Sequence, residues 1–128
     1  MLIGIGIDLC EIARMGEMIA REDFLRRFFT EEERAYIASR GQAAAQTAAG
    51  IYAAKEAALK AMGCGIALPL AQVGVTHDES GAPRYTLTGR AAGKMAALGG
   101  KAMHLSITHE GGMAAAVAIL EEIGRAHV

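Results

Sequence analysis

Ile3-Gly4-Ile5-Gly6-Ile7-Asp8 is the stretch whose reading decides the fold. Its strict alternation has the period of a β-strand, in which successive side chains point to opposite faces. Every second position is glycine, so one face carries no side chains and another element can approach the backbone closely there. Asp8 closes the strand. From Cys10 to about Arg21 the apolar residues Ile12, Met15, Met18 and Ile19 recur at helical spacing, and this first amphipathic helix brings Arg14, Met18 and Arg21 to one face.

Further along, Phe24 to Phe29 is a short aromatic and basic segment, and Thr30-Glu31-Glu32-Glu33 is a capping box that opens a helix to about Ala38. Gln42 to Met62 is rich in Ala, Lys, Glu and Leu and reads as one long central helix that stops at Gly63-Cys64-Gly65. Val73-Gly74-Val75-Thr76-His77 and Arg84-Tyr85-Thr86-Leu87 flank a polar turn and predict a hairpin. Thr88 caps a helix to about Leu98, and strands over 103–109 and 113–120 enclose Glu110-Gly111-Gly112. Strands at both ends with a helical middle make the class α+β.

The chain has 128 residues, 52% of them hydrophobic and 21% charged, a size and balance that predict one folded domain over 1–128 rather than disorder. Thirteen basic against fourteen acidic residues give a net charge of −1, which argues against sequence-independent nucleic-acid binding or attachment to an anionic membrane. No secretory signal is readable at Met1-Leu2-Ile3-Gly4, and the apolar run Met113 to Leu120 is far below the roughly 20 residues of a membrane-spanning helix. Cys10 and Cys64 fall in no metal-binding spacing, and a reducing cytoplasm fits best.

Each chemical candidate has a plain reading beside the functional one. Asp8 is either a helix N-cap paired with Glu11 or a carboxylate holding a hard divalent cation. Glu56 and Lys60, spaced i, i+4, are either a surface ion pair worth about 0.3–0.5 kcal/mol or a metal ligand and a phosphate contact for a diphosphate substrate. Lys55 assists them or is solvated. His109 at a Gly-rich turn is structural or functional in equal measure. His77 and His104 are strand residues, and Cys64 is a loop residue. Arg14, Met18, Arg21, Phe24 and Arg27 mix cations with apolar anchors, either a solvated face or a surface for an acidic, grooved partner helix.

Three motifs taken in order carry a resemblance: Gly4-Ile5-Gly6-Ile7-Asp8-Leu9-Cys10-Glu11-Ile12-Ala13-Arg14, Ala53-Ala54-Lys55-Glu56-Ala57-Ala58-Leu59-Lys60-Ala61-Met62-Gly63-Cys64-Gly65, and Leu105-Ser106-Ile107-Thr108-His109. Together, with Gly81-Ala82-Pro83 between them, they resemble the holo-acyl-carrier-protein synthases of the phosphopantetheinyl transferase family over nearly the whole chain.

The resemblance implies the 4′-phosphopantetheinyl transferase fold, a small antiparallel sheet packed on a long helix, assembled as a homotrimer with coenzyme A between neighbouring subunits. It implies transfer of 4′-phosphopantetheine from coenzyme A to a serine of apo acyl carrier protein in fatty-acid biosynthesis, releasing adenosine 3′,5′-bisphosphate. It makes Asp8, Glu56 and Lys60 the catalytic set, with Asp8 and Glu56 as Mg²⁺ ligands. Lys60, Gly65 and His109 would contact coenzyme A, and Arg14, Met18, Arg21, Phe24 and Arg27 would dock the carrier. In two places the chain departs from the family pattern. Ile51 stands where a basic nucleotide-phosphate contact is common, and Cys64 replaces a common Thr. A non-catalytic coenzyme A or carrier-binding module of the same fold is the alternative.

Overall fold

The computed structural model describes residues 1–64 and 68–122. The chain runs β1 (Leu2–Glu11), α1 (Ile12–Met18), α2 (Glu22–Phe28), α3 (Glu31–Ala38), α4 (Ala44–Ala61), β2 (Val73–His77), β3 (Pro83–Leu87), α5 (Gly89–Ala97), β4 (Ala102–Glu110) and β5 (Met113–Glu121). Strands β1, β5 and β4 form an antiparallel sheet in that order, and β2 pairs with β3 in a separate hairpin. The α+β class, the central helix and the hairpin thus match the expectations from sequence. None of the described helices is long and apolar enough to cross a membrane.

The glycine face of β1 explains how α4 meets the sheet. A Cβ built on Gly6 would lie 1.9 Å from the Ala57 carbonyl oxygen, and one on Gly4 would lie 1.9 Å from that of Ala61. Backbone therefore rests almost on backbone, which only glycine opposite alanine permits. Ala53, Ala54, Ala57 and Ala58 are all fully buried on α4, and Ala114, Ala116 and Ala118 of β5 meet it from the sheet. From Ala48 to Leu59 the helix is buried on nearly every side, with Tyr52 and Glu56 half-buried and Lys60 exposed beyond them. The isoleucine face of β1 points the other way: Ile5, Ile7 and Leu9 are 60%, 63% and 61% exposed. Ile5 and Ile7 stand opposite Ile119 and Val117 of β5, so an apolar stripe runs across the outer sheet surface.

Two boundaries differ from the sequence reading. Strand β1 does not stop at Asp8 but continues to Glu11, because β5 keeps pairing as far as Cys10 with Ala114 and Glu11 with Met113. Asp8 is consequently no helix cap, and the first helix starts only at Ile12, with no side-chain cap on it. Phe24 to Phe29 lies largely in a helix of its own, α2. The Thr30/Glu33 capping box forms in full. Thr88 precedes α5 without capping it. Gln72 Oε1 takes that role, accepting from the Arg90 and Ala91 amides at 2.8 and 3.2 Å.

Beneath the hairpin lies a buried ion pair. Lys55, read as an assistant or as solvated, is fully buried. Its Nζ sits 2.7 Å from Glu33 Oε1 and donates to the Leu70 and Val73 carbonyls at 3.0 and 2.9 Å. Glu33 Oε2 accepts from the Val75 amide at 2.6 Å. Burial lowers the Lys55 pKa, and Glu33 opposes that shift. Lys55 therefore fastens α3, α4 and β2 together.

Candidate active site

Asp8 faces α4 from the strand row in which it pairs with Ala116. Lys60 in the last turn of α4 donates to Asp8 Oδ1 at 2.8 Å and to the Ile7 carbonyl at 3.0 Å. Lys60 therefore does not form the i, i+4 pair with Glu56 that spacing alone offers. Asp8 raises its pKa through hydrogen bond and charge. Glu56, half-buried one turn earlier, has no ion pair among the described residues. Burial first and then the Asp8 charge push its carboxyl above the usual range, while the Tyr52 hydroxyl and Lys60 pull it down. Two carboxylates from different elements thus share one electrostatic field, with one lysine between strand and helix.

Among the described residues no three His, Cys, Asp or Glu side chains gather as a metal cage. Two carboxylates close enough to perturb each other still fit a hard cation that keeps most of its positions for water and phosphate oxygens, as Mg²⁺ does. Cys10 and Tyr52 complete the surroundings, and sequence reasoning passed over both. Cys10 lies two residues beyond Asp8 on the same strand face, and Tyr52 lies one helical turn before Glu56. Burial and the Asp8 charge push the Cys10 thiol up to about 11, which leaves it protonated and poorly nucleophilic.

Beside Glu56 opens a cavity of about 470 Å³ whose walls include Phe28, Tyr52, Leu59 and Leu70, with Arg27 and Arg90 on its lining. Of the anticipated docking residues, Arg14, Arg21 and Arg27 are exposed and Met18 is half-buried. Phe24 departs from the expectation. It is only 6% exposed, packed against Phe28, Phe29 and Tyr52, and supports the patch from beneath.

His109 lies apart from the carboxylates, in a second cavity with Tyr36, Arg40, Thr47, Gly50 and His77. A Cβ at position 50 would come within 3.3 Å of His109 Nε2, so Gly50 is what leaves that ring accessible. Tyr36 stacks on His77 with ring centroids 4.3 Å apart. Burial and the Arg40 charge lower the His77 pKa. Ile51, the position of the missing basic residue, is 1% exposed in the core. Gly65 lies outside the described residues. His104 pairs with Glu121 at 2.6 Å, away from either cavity.

A sequence model of the 4′-phosphopantetheinyl transferase superfamily matches residues 4–118. Among curated relatives, the holo-[acyl-carrier-protein] synthase of Treponema denticola is 41% identical over 122 residues, covering 94% of this chain and 99% of that one. Among solved structures, the holo-[acyl-carrier-protein] synthase of Neisseria meningitidis superposes with a TM-score of 0.85 at 27% identity, over 94% of this chain and 99% of that one. The enzyme of Bacillus anthracis, crystallised with CoA (3′,5′-ADP), gives a TM-score of 0.80 at 32% identity, over 96% and 99% of the two chains.

Proposed function

The chain belongs to the 4′-phosphopantetheinyl transferase superfamily, and on that footing we propose that it is a Mg²⁺-dependent holo-acyl-carrier-protein synthase. It moves 4′-phosphopantetheine from coenzyme A to a serine of apo acyl carrier protein in fatty-acid biosynthesis. The observation that carries the reading is the meeting of Asp8 and Lys60 at 2.8 Å, with Glu56 one turn away in the same field.

In the reaction the serine oxygen forms a bond to the β-phosphorus of coenzyme A. The bond to the leaving adenosine 3′,5′-bisphosphate breaks, and the serine proton passes to solvent. Such a transfer asks the protein mainly for positioning and for neutralisation of charge. Asp8 and Glu56 would hold Mg²⁺, which supplies charge neutralisation at the diphosphate. Lys60 is fixed by Asp8 and the Ile7 carbonyl so that its ammonium faces the same oxygens. The cavity beside Glu56 offers an apolar wall for the pantetheine arm. Arg14, Arg21 and Arg27, with Met18 and the Phe24 cluster beneath, form the docking face for an acidic carrier. His109 and Lys60, with Gly65, contact coenzyme A.

The exposed Ile5, Ile7 and Leu9 support assembly as a homotrimer through the outer sheet surface, since such a stripe is rarely left bare on a monomer. Both described cysteines are free, which fits a reducing cytoplasm.

The test is intact-mass spectrometry of apo acyl carrier protein incubated with the enzyme, coenzyme A and Mg²⁺, beside a chelator control. A gain of one phosphopantetheine that the chelator removes is the expected result. No gain despite measurable coenzyme A binding would instead assign a non-catalytic binding module.

A further inference from the structure

Between Glu79 and Glu110 the chain has no acidic residue, yet it carries Arg84, Arg90, Lys94 and Lys101. All fourteen Asp and Glu residues lie elsewhere, so a chain of net charge −1 keeps one strongly cationic segment. The centre of that segment is α5, which buries Ala91 and rests Met95 and Leu98 against the core. Arg90, Gly93, Lys94 and Ala97 follow at i, i+3, i+4 and i+7 on the opposite face, where Lys94 is half-buried and the other three are exposed. Arg84 reaches Asp78 at 3.7 Å, whereas Arg90, Lys94 and Lys101 have no ion pair among the described residues. Uncompensated cations set among glycine and alanine let an acidic helix come close and meet unspent charge.

This face borders the active site. Gln72 Oε1 holds the start of α5 through the Arg90 and Ala91 amides, and Leu70, two residues earlier, lines the cavity beside Glu56. Arg90 lines the same cavity, as does Arg27 of α2. The cationic surface of α1 and α2 therefore does not end at Arg27 but continues past the cavity along α5. A serine brought to Asp8 and Glu56 on an acidic protein has cations on both sides of its path. Arg90 and Lys94 are one helical turn apart, about 5–6 Å between Cβ atoms, a row that matches carboxylates spaced along a partner helix better than the clustered oxygens of one phosphate.

We propose that the Arg90/Lys94 face of α5 is a second docking arm for the acidic acyl carrier protein, on the other side of the Glu56 cavity from Arg27. The proposal rests on the carrier reading above and adds to it a contact surface on a separate element.

The experiment is steady-state transfer to apo acyl carrier protein by wild type, Arg90→Glu and Lys94→Glu, with KM for the carrier and KM for coenzyme A read separately. Each reversal should raise the carrier KM by about five-fold or more and leave the coenzyme A KM within about two-fold. Lys94 lies outside the cavity beside Glu56, so its variant separates docking from effects on the cavity. The rise of carrier KM with salt, between about 0.05 and 0.3 M, should flatten in both variants. Lys94→Arg, which keeps the charge, should match wild type. An unchanged carrier KM, an equal rise in the coenzyme A KM, or the same loss in Lys94→Arg overturns the proposal. Wild type that binds coenzyme A but transfers nothing to the carrier overturns the carrier reading before any substitution is made, and the docking arm with it, so the two failures are told apart.

Discussion

Lys60 reaches across from the last turn of α4 to Asp8 in the middle of β1, with Nζ 2.8 Å from Oδ1, and so ties the helix bearing Glu56 to the strand bearing the other carboxylate. The site is thus one contact between two elements rather than a loop.

Removing either carboxylate should therefore disable transfer and spare the fold. Asp8→Ala and Glu56→Ala are each expected to lower the Mg²⁺-dependent rate by ~100-fold or more, with unchanged far-ultraviolet circular dichroism. Turnover within a few-fold of wild type in either variant would reject the ligand pair.

On the proposed ligand assignment, proton and metal compete at Glu56. Its carboxyl is held above the ordinary value of 4.5 by burial and by Asp8, so its protonated form persists to a higher pH than in a free glutamate. Mg²⁺ affinity should accordingly rise with pH, by at most about tenfold per unit while Glu56 is protonated, and level off above its raised value. The metal-free fold carries the opposite dependence, losing stability as pH rises through that value. Titrating Mg²⁺ calorimetrically between about pH 5 and 8 reads the first effect, and a flat profile would contradict it.

Contact between helix and strand depends on missing methyl groups. In Gly6→Ala the new Cβ would meet the Ala57 carbonyl at 1.9 Å, backbone that no rotamer change can move aside. We expect a loss of about 3 kcal/mol or more, together with reduced activity as β1 is pushed away from α4 and Asp8 is displaced from Lys60. Gly93→Ala, with nothing within 4 Å on α5, should instead stabilise by about 0.5–1 kcal/mol. Urea unfolding of both proteins makes the comparison.

Breaking the buried pair should cost more than any surface pair. Lys55→Met strips Glu33 of its counter-charge and frees the Leu70 and Val73 carbonyls, with an expected loss of about 3–5 kcal/mol in denaturant unfolding. A loss below about 1 kcal/mol would contradict the role of Lys55 as a buried tie.

Assembly is read from the outer sheet. Ile7 is 63% exposed in the single chain, so Ile7→Lys leaves the protomer's packing untouched. Sedimentation should show a trimer for wild type and a monomer for the variant. A wild-type monomer would refute the proposed assembly.

Local rules carried much of this. Period-2 alternation and the Thr30/Glu33 box are interactions between near neighbours in sequence; the box formed as read, and the alternation formed over Gly4–Ile7 but breaks at Ile3, where the register shifts and the side chain packs against the core. Where pairing partners lay far away, the sequence was mute. Nothing near Asp8 announced that β5 would carry the strand on to Glu11, and Phe24 looked like a surface anchor until Tyr52, 28 residues on, closed over it.

From its sequence the chain declared the α+β class, the glycine face of β1, the long alanine helix and the motif order that marks the family, because periodicity, propensity and spacing act within a few residues. Tertiary structure alone decided that Lys60 chooses Asp8 over Glu56, that Lys55 is a buried tie, that Ile5 and Ile7 face outward, and that Arg40 and His109 line one cavity. Those outcomes turn on which surfaces the sheet and α4 bury against each other, and burial sets both the strength of charges and the company they keep.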